Sequence, residues 1–180
     1  FLALKPNTKM PYSQSDVLAA SEHSLRIDTK AGYGPAGDEE LSLAIRQLRY
    51  VASSSELDQI ETGESPEERR RRFLDFWRTI DPTPNTARNE AYEEYYRRVD
   101  YANKTFRSYT EGWQTDMGMV YIIFGPPNNV ERQSYRSDGK IVEVWYYSQN
   151  RQIVFVDYTG FGDFRLASPL GSSDRFRFNQ

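Results

Sequence analysis

The chain has 180 residues, enough for one domain with its own core. Aromatic residues make up 14% against a hydrophobic fraction of only 38%, so large rings have to supply much of the buried area. A net charge of -3 lacks the dominant basic face that sequence-independent nucleic-acid binding requires, and the absence of Cys excludes disulfides, thiol nucleophiles and zinc–thiolate sites.

Residues 1 to 38 read as an extended arm, or as the remnant of an upstream domain. Lys5-Pro6-Asn7 and Met10-Pro11-Tyr12 are turn signals, and Lys30 to Gly37 is rich in Gly and Pro. Leu25 to Thr29 is a candidate edge strand. The first residue is Phe1 and not Met, which is compatible with a piece trimmed or processed from a longer precursor and leaves room for a lost signal peptide. No apolar run approaches the roughly 18 residues that mark a membrane span.

From residue 39 to 168 the pattern is that of an α+β domain. Asp38 is a cap for a first helix, whose apolar stripe is Leu41, Ala44, Ile45, Leu48, Val51 and Ala52. Ser53 to Ser55 is expected to end it. A second helix opens at Ser65-Pro66-Glu67-Glu68, with Ser as cap, Pro at the first helical position and Glu68 closing a capping box. Phe73, Phe76, Trp77 and Ile80 form its inner side. The run Arg69 to Arg72 follows Glu67 and Glu68, so intrahelical pairs offset the basic charge. Asp81-Pro82-Thr83-Pro84 stops this helix. A third helix, about Ala87 to Tyr109, turns Tyr92, Tyr95, Tyr96, Val99, Ala102, Phe106 and Tyr109 inward.

Beyond Gly112 the pattern changes to strands. Met119 to Phe124, Ile141 to Tyr147, Gln152 to Tyr158 and Phe164 to Ala167 are apolar, β-branched or aromatic. Ser137-Asp138-Gly139-Lys140 is a hairpin signal, and Ser148 to Arg151 is a second tight connection. The predicted fold is three helices packed on an antiparallel sheet of four or five strands, with Trp77, Trp113 and Trp145 near their interface. Residues 169 to 180 read as a polar tail.

No catalytic, cofactor or metal constellation accompanies this fold. His23 is the only His and lies in the arm. Gly125-Pro126-Pro127 lacks the spacing of a phosphate loop, and its prolines remove amides, so it reads as a rigid strand-ending turn. Gly112, Trp113, Thr115 and Asp116 read as a structural corner in which Asp116 accepts amides of its own turn. Asp81, Glu90, Asp116, Asp157 and Asp163 are enough carboxylates for a glycosidase pair, if two of them converge. Asp157 to Asp163 is only loosely like a calcium loop, and Asn103-Lys104-Thr105 is a glycosylation sequon inside a helix.

The motifs Phe76-Trp77, Asp81-Pro82-Thr83-Pro84, Asn89-Glu90, Tyr95-Tyr96-x-Arg98-Val99, Ala102-Asn103-x-x-Phe106, Gly112-Trp113-x-Thr115-Asp116, Gly118-x-Val120-Tyr121-Ile122, Gly125-Pro126-Pro127, Trp145-Tyr146 and Phe155-x-Asp157 occur here in sequence order. In this set the chain resembles the bacterial GWxTD domain family over about residues 40 to 168. Met117 stands where a basic residue is expected from the resemblance. The resemblance implies an exported, extracytoplasmic protein of the cell envelope, associated with the outer membrane and with other envelope proteins as partners. It implies no established chemistry. The function expected is therefore a non-catalytic structural or interaction module. The alternative is an envelope-glycan-binding module, or a glycan hydrolase using paired carboxylates.

Overall fold

A computed structural model describes residues 34–106, 108–134 and 140–178. His23, the candidate strand Leu25 to Thr29 and the Ser137 to Gly139 turn lie outside those residues. Among the described residues there are five α-helices, α1 (Asp38–Gln47), α2 (Ser54–Glu61), α3 (Pro66–Thr79), α4 (Glu90–Thr105) and α5 (Asp116–Phe124). Four strands follow, β1 (Asn129–Ser134), β2 (Ile141–Tyr146), β3 (Gln152–Asp157) and β4 (Phe164–Leu166). They form one antiparallel meander in the order β1-β2-β3-β4. The α+β architecture predicted from the sequence is present, with more helices than the three expected.

Two of the extra helices have clear physical causes. Ser53 does not end a helix; it starts α2. Its hydroxyl accepts the Glu56 N–H, and the Glu56 carboxylate accepts the Ser53 N–H at 2.7 Å, a reciprocal capping box. Met119 to Phe124 belongs to a helix and not to a strand. Thr115 caps it, and Val120, Tyr121, Ile122 and Ile123 are all buried, so no polar face remains to reveal the helical period. The first helix also starts differently from the prediction. Gly37 is its cap and Asp38 lies in its first turn, while Glu40 accepts the Ala36 and Gly37 amides.

α3 begins with the predicted Ser65 cap and Pro66, but the predicted capping box does not close, because Glu68 turns to the Glu64 amide and not to that of Ser65. The Ser65 hydroxyl accepts the Glu68 N–H at 3.1 Å, and the Glu68 carboxylate accepts from Glu64 and pairs with Arg71 and Arg72. Arg70 donates instead to the Pro35 and Ala36 carbonyls. α4 is shorter than predicted at both ends: Asn89 caps its start, it stops at Thr105, and Tyr109, expected on its inner face, lies beyond it and is 93% exposed. Asn89 is buried; its Oδ1 accepts the Tyr92 N–H at 2.9 Å and its Nδ2 donates to the Trp77 carbonyl at 2.8 Å. One side chain thus joins the end of α3 to the start of α4.

The core is continuous and rich in rings. Trp77 is fully buried among helices, with the rings of Phe76, Tyr92, Tyr95 and Tyr96 centred 5.3–5.7 Å away. The Tyr95 and Tyr96 hydroxyls donate to the Gln47 and Ala44 carbonyls of α1. Burial raises both phenol pKa values well above normal. Trp145 on β2 meets Phe106 at 5.6 Å and Phe155 at 4.9 Å, which closes the sheet against the helices. Glu143, Trp145, Ile153, Phe155, Asp157 and Phe164 share the buried face of the sheet.

The segment after β4 also packs. Phe176 is buried, its ring 5.0 Å from that of Tyr95 and 5.1 Å below the Arg98 guanidinium. Its N–H donates to the Tyr50 carbonyl at 2.8 Å. Residues 169–178, expected to be a polar tail, thus carry one deep anchor, Phe176, with Leu170 and Phe178 packed partly buried against the core.

Candidate functional site

The residues singled out by the sequence centre on the return of the chain after α4. Gly112–Gln114 forms a 3-10 turn against that helix. A Cβ on Gly112 would fall 1.9 Å from the Ala102 carbonyl oxygen, so only glycine fits. The Trp113 N–H donates to Asn103 Oδ1 at 3.0 Å, and the Trp113 carbonyl accepts the Tyr50 hydroxyl at 2.8 Å. The indole is buried against the Tyr50 ring, and its Nε1 donates to the Glu111 carboxylate. Asn103 of the sequon is thereby engaged as a turn anchor.

Thr115 is the cap of α5. Its Oγ1 accepts the Gly118 N–H at 3.0 Å and donates to the Gly112 carbonyl at 2.8 Å. Asp116 sits in the first turn, where the helix dipole favours a carboxylate. Its bond corrects the sequence-based expectation. Asp116 Oδ2 accepts no amide of its own turn but the N–H of Leu166 on β4 at 2.7 Å, 50 residues along the chain. The turn therefore ties α4, α5 and β4 together.

Gly125 ends α5, with φ +79° that favours glycine. It ends a helix, not the strand that was expected. Its N–H donates to the Tyr121 carbonyl at 2.8 Å and its carbonyl accepts the Tyr147 hydroxyl at 3.1 Å. Pro126 is half-buried and Pro127 buried, leading into β1. Arg98 is the site residue whose role the sequence conceals. Buried on α4, it pairs with Glu94 at 2.7 Å and donates to the Ile122 and Ile123 carbonyls at 3.2 Å, satisfying the end of α5. The i,i+4 spacing of Glu94 and Arg98 within an otherwise apolar helix face is the available sequence signal.

The remaining candidates are dispersed. Trp77 lies in the helical core, and Trp145 donates from Nε1 to Glu143 at 2.8 Å, which pairs in turn with Arg132 at 3.1 Å. Asp81 accepts the Thr83 N–H at 2.9 Å, and the Thr83 hydroxyl donates to Glu90, so these two carboxylates share one surface turn. That bond, foremost, holds the Glu90 carboxyl below the usual range. Asp157 is buried beneath its own loop. Oδ1 accepts the Thr159 and Gly160 N–H groups and the Thr159 hydroxyl, and Oδ2 accepts the Gly162 N–H at 2.7 Å. Both oxygens face donors, as in an Asx turn and unlike a calcium loop. Asp163 pairs with Arg165 at 3.0 Å. Among the described residues no group of three or more His, Asp or Glu is placed to hold a metal.

The described residues form several concave regions. Two grooves of about 520 and 490 Å³ meet at Glu56 and Phe76, between α2, α3 and the C-terminal segment. Ile60, Phe76 and the half-exposed Ile80 supply their apolar floor; Arg72, Arg175 and Arg177 lie on their walls. A smaller pocket of about 200 Å³ lies beside Thr115, between the segment after α4 and the β3–β4 loop.

These features define a small α+β domain whose signature residues hold three chain segments in register by close packing and backbone capping. The chain belongs to the GWxTD domain family, whose profile matches residues 17–164. No curated protein and no solved structure gave a match.

Proposed function

We propose that this domain is a non-catalytic structural and protein-interaction module of a bacterial cell-envelope assembly, placed outside the cytoplasm. One observation carries the proposal. Each polar side chain of the signature bonds to backbone: Asn103 Oδ1 accepts the Trp113 N–H, Thr115 Oγ1 the Gly118 N–H, and Asp116 Oδ2 the Leu166 N–H. A catalytic side chain needs a free polar atom aimed at a substrate; these are committed to the fold.

Tyr92, Tyr95, Tyr96 and Tyr101 of α4 are buried and committed to the core. The groove at Glu56 and Phe76 is the surface this proposal assigns to a partner. Its apolar floor and walls of mixed charge suit an amphipathic protein segment of both signs. A stable contact of that kind buries about 1,200–2,000 Å² in total.

Copurification of the full-length protein from native membranes tests the proposal, with and without residues 1–33 and with Ile80→Asp in the groove. A partner retained by the native chain and lost with Ile80→Asp is the expected result. A lone monomer in every preparation, or recovery wholly from the cytosol, overturns it. No helix among the described residues is long and apolar enough to cross a membrane.

A further inference from the structure

We infer that the C-terminal segment Asp174 to Phe178 is a resident ligand, and that the slot it fills is a binding site for an extended segment of another protein chain with the order acid, Arg, Phe. The inference rests on the reading of the domain as an interaction module and names the partner chemistry of the surface beside the groove at Glu56 and Phe76.

The slot belongs to the family domain and its filling does not. Tyr50, Ala52, Tyr95, Arg98 and Arg151 form it, all within the residues 17–164 matched by the family profile. The segment that enters it lies beyond that match. No helix or strand includes residues 167–178, and Ala167 to Pro169 and Gly171 to Ser173 are exposed. The segment is therefore held by the slot and not by regular structure of its own.

The contacts are of the kind by which domains hold extended peptides, with main-chain hydrogen bonds for affinity and side-chain sites for specificity. The Phe176 N–H donates to the Tyr50 carbonyl at 2.8 Å. The Phe176 ring stands edge-on to Tyr95, with centres 5.0 Å apart, and the Arg98 guanidinium lies 5.1 Å from its centre. Arg175 donates to the Ala52 carbonyl, and Asp174 pairs with Arg151 at 3.0 Å. Three successive side chains thus meet three different groups, which fixes both direction and sequence. An aliphatic residue at 176 would forfeit the contact between ring and guanidinium.

Occupation by the chain's own segment sets a threshold for any partner. Residues 168–173 tether the segment to the end of the sheet, and a short tether gives an effective concentration on the order of millimolar. A free segment of equal fit has to reach that concentration to displace it. A partner that makes further contacts displaces it sooner. Those contacts are at hand, because Phe176 and Phe178 also form one wall of the groove at Glu56 and Phe76. Displacement opens that wall, so slot and groove can take one continuous segment.

The test is an amide-resolved NMR titration of the full chain with a synthetic peptide of residues 171–178. The Asp174 to Phe178 amides are expected to move to the positions of a released segment, half-complete at a peptide concentration on the order of 1–10 mM. In the Phe176→Leu chain the same peptide should displace the weakened segment at about tenfold lower concentration. A peptide carrying Phe176→Ala should leave both chains unchanged. Unchanged Asp174 to Phe178 signals in both proteins overturn the inference. So does release by the alanine peptide, or a set of shifts that maps away from Tyr50, Ala52 and Tyr95. Release only together with loss of the whole folded spectrum also overturns it, because the segment is then core and not ligand. Each readout is made on the chain alone, so its failure is distinguishable from the absence of a native partner in the copurification.

Discussion

The Gly112 carbonyl oxygen occupies the place where a side chain at residue 118 would begin: a Cβ built on Gly118 lies 1.8 Å from it. The two glycines of the signature thus sit in successive close contacts, Gly118 on the Gly112 backbone and Gly112 on the Ala102 backbone of α4. Neither position has a positive φ, so the requirement is space and not backbone conformation. Thr115 seals the contact from the side by bonding to both residues. Gly118→Ala and Gly112→Ala are expected to lower stability by about 3 kcal/mol or more, because backbone on both sides has to move. Gly37→Ala, where a Cβ meets nothing within 4 Å, should cost less than about 1 kcal/mol. Urea denaturation of the three variants decides the point; equal and small losses at all three would contradict the close-contact explanation.

Asp116 joins the start of α5 to β4 through the Leu166 amide. Asp116→Ala removes a charged acceptor and leaves that N–H without its partner, at an expected cost of about 1.5–3 kcal/mol. Asp116→Asn keeps an oxygen in reach and should cost less. Hydrogen exchange locates the effect. The Leu166 amide should lose protection in the Ala variant, while Phe155, paired with Leu166 across β3, keeps most of its own. Unchanged exchange at Leu166 would show that the bond does not form in solution.

Local signals carried much of the fold. Ser65-Pro66-Glu67-Glu68 announced α3, and the Ser148 to Arg151 connection is a tight turn with Gln149 and Asn150 both at positive φ. The short strand at Phe164 was also visible. What failed did so for physical reasons. Met119 to Phe124 is buried on every side, so it has no amphipathic period, and a short apolar run fits a strand equally well. Ser53-Ser54-Ser55-Glu56 contained a capping box hidden in a serine run that resembles a linker. β1, with Glu131, Arg132 and Gln133, is an exposed edge strand with too few apolar residues to register. At the candidate site, the glycines and the cap were readable as a corner. The Leu166 partner of Asp116 was not, since only the tertiary fold brings it there.

Asp157 gives the domain a pH-sensitive loop. Burial is the largest single influence on its carboxyl and would raise the pKa. The donors from Gly162, Thr159 and Gly160 together outweigh it, so the net shift is downward. A folded pKa below the unfolded value of about 3.9 means that the stabilising contribution is present above that value and is lost as pH falls through the folded one. Stability of the native chain should therefore decline on acidification through this range, and Asp157→Asn should flatten that part of the curve. Thermal melts between about pH 2 and 6 measure it. Identical acid limbs for the two proteins would rule out Asp157 as a contributor.

Phe176 lies twelve residues past the last residue matched by the family profile, yet it is 4% exposed. It fills the space between Tyr95 and the Arg98 guanidinium, and Arg98 itself supports the end of α5 through the Ile122 and Ile123 carbonyls. The anchor is reinforced on both sides, by Arg175 donating to the Ala52 carbonyl and by Asp174 pairing with Arg151 at 3.0 Å. Loss of Phe176 therefore removes the ring contact with Tyr95 and uncovers a buried guanidinium. Phe176→Ala is expected to destabilise the domain by about 3–5 kcal/mol, the cost of truncating a buried ring. Deleting residues 169–180 should cost at least as much. Phe176→Leu keeps most of the apolar volume and should recover part of the loss, which separates packing from an effect of shortening the chain. Urea unfolding of the three variants provides the measurement. A deletion variant as stable as the native chain would place the functional end of the domain at β4 and make the Phe176 contact incidental.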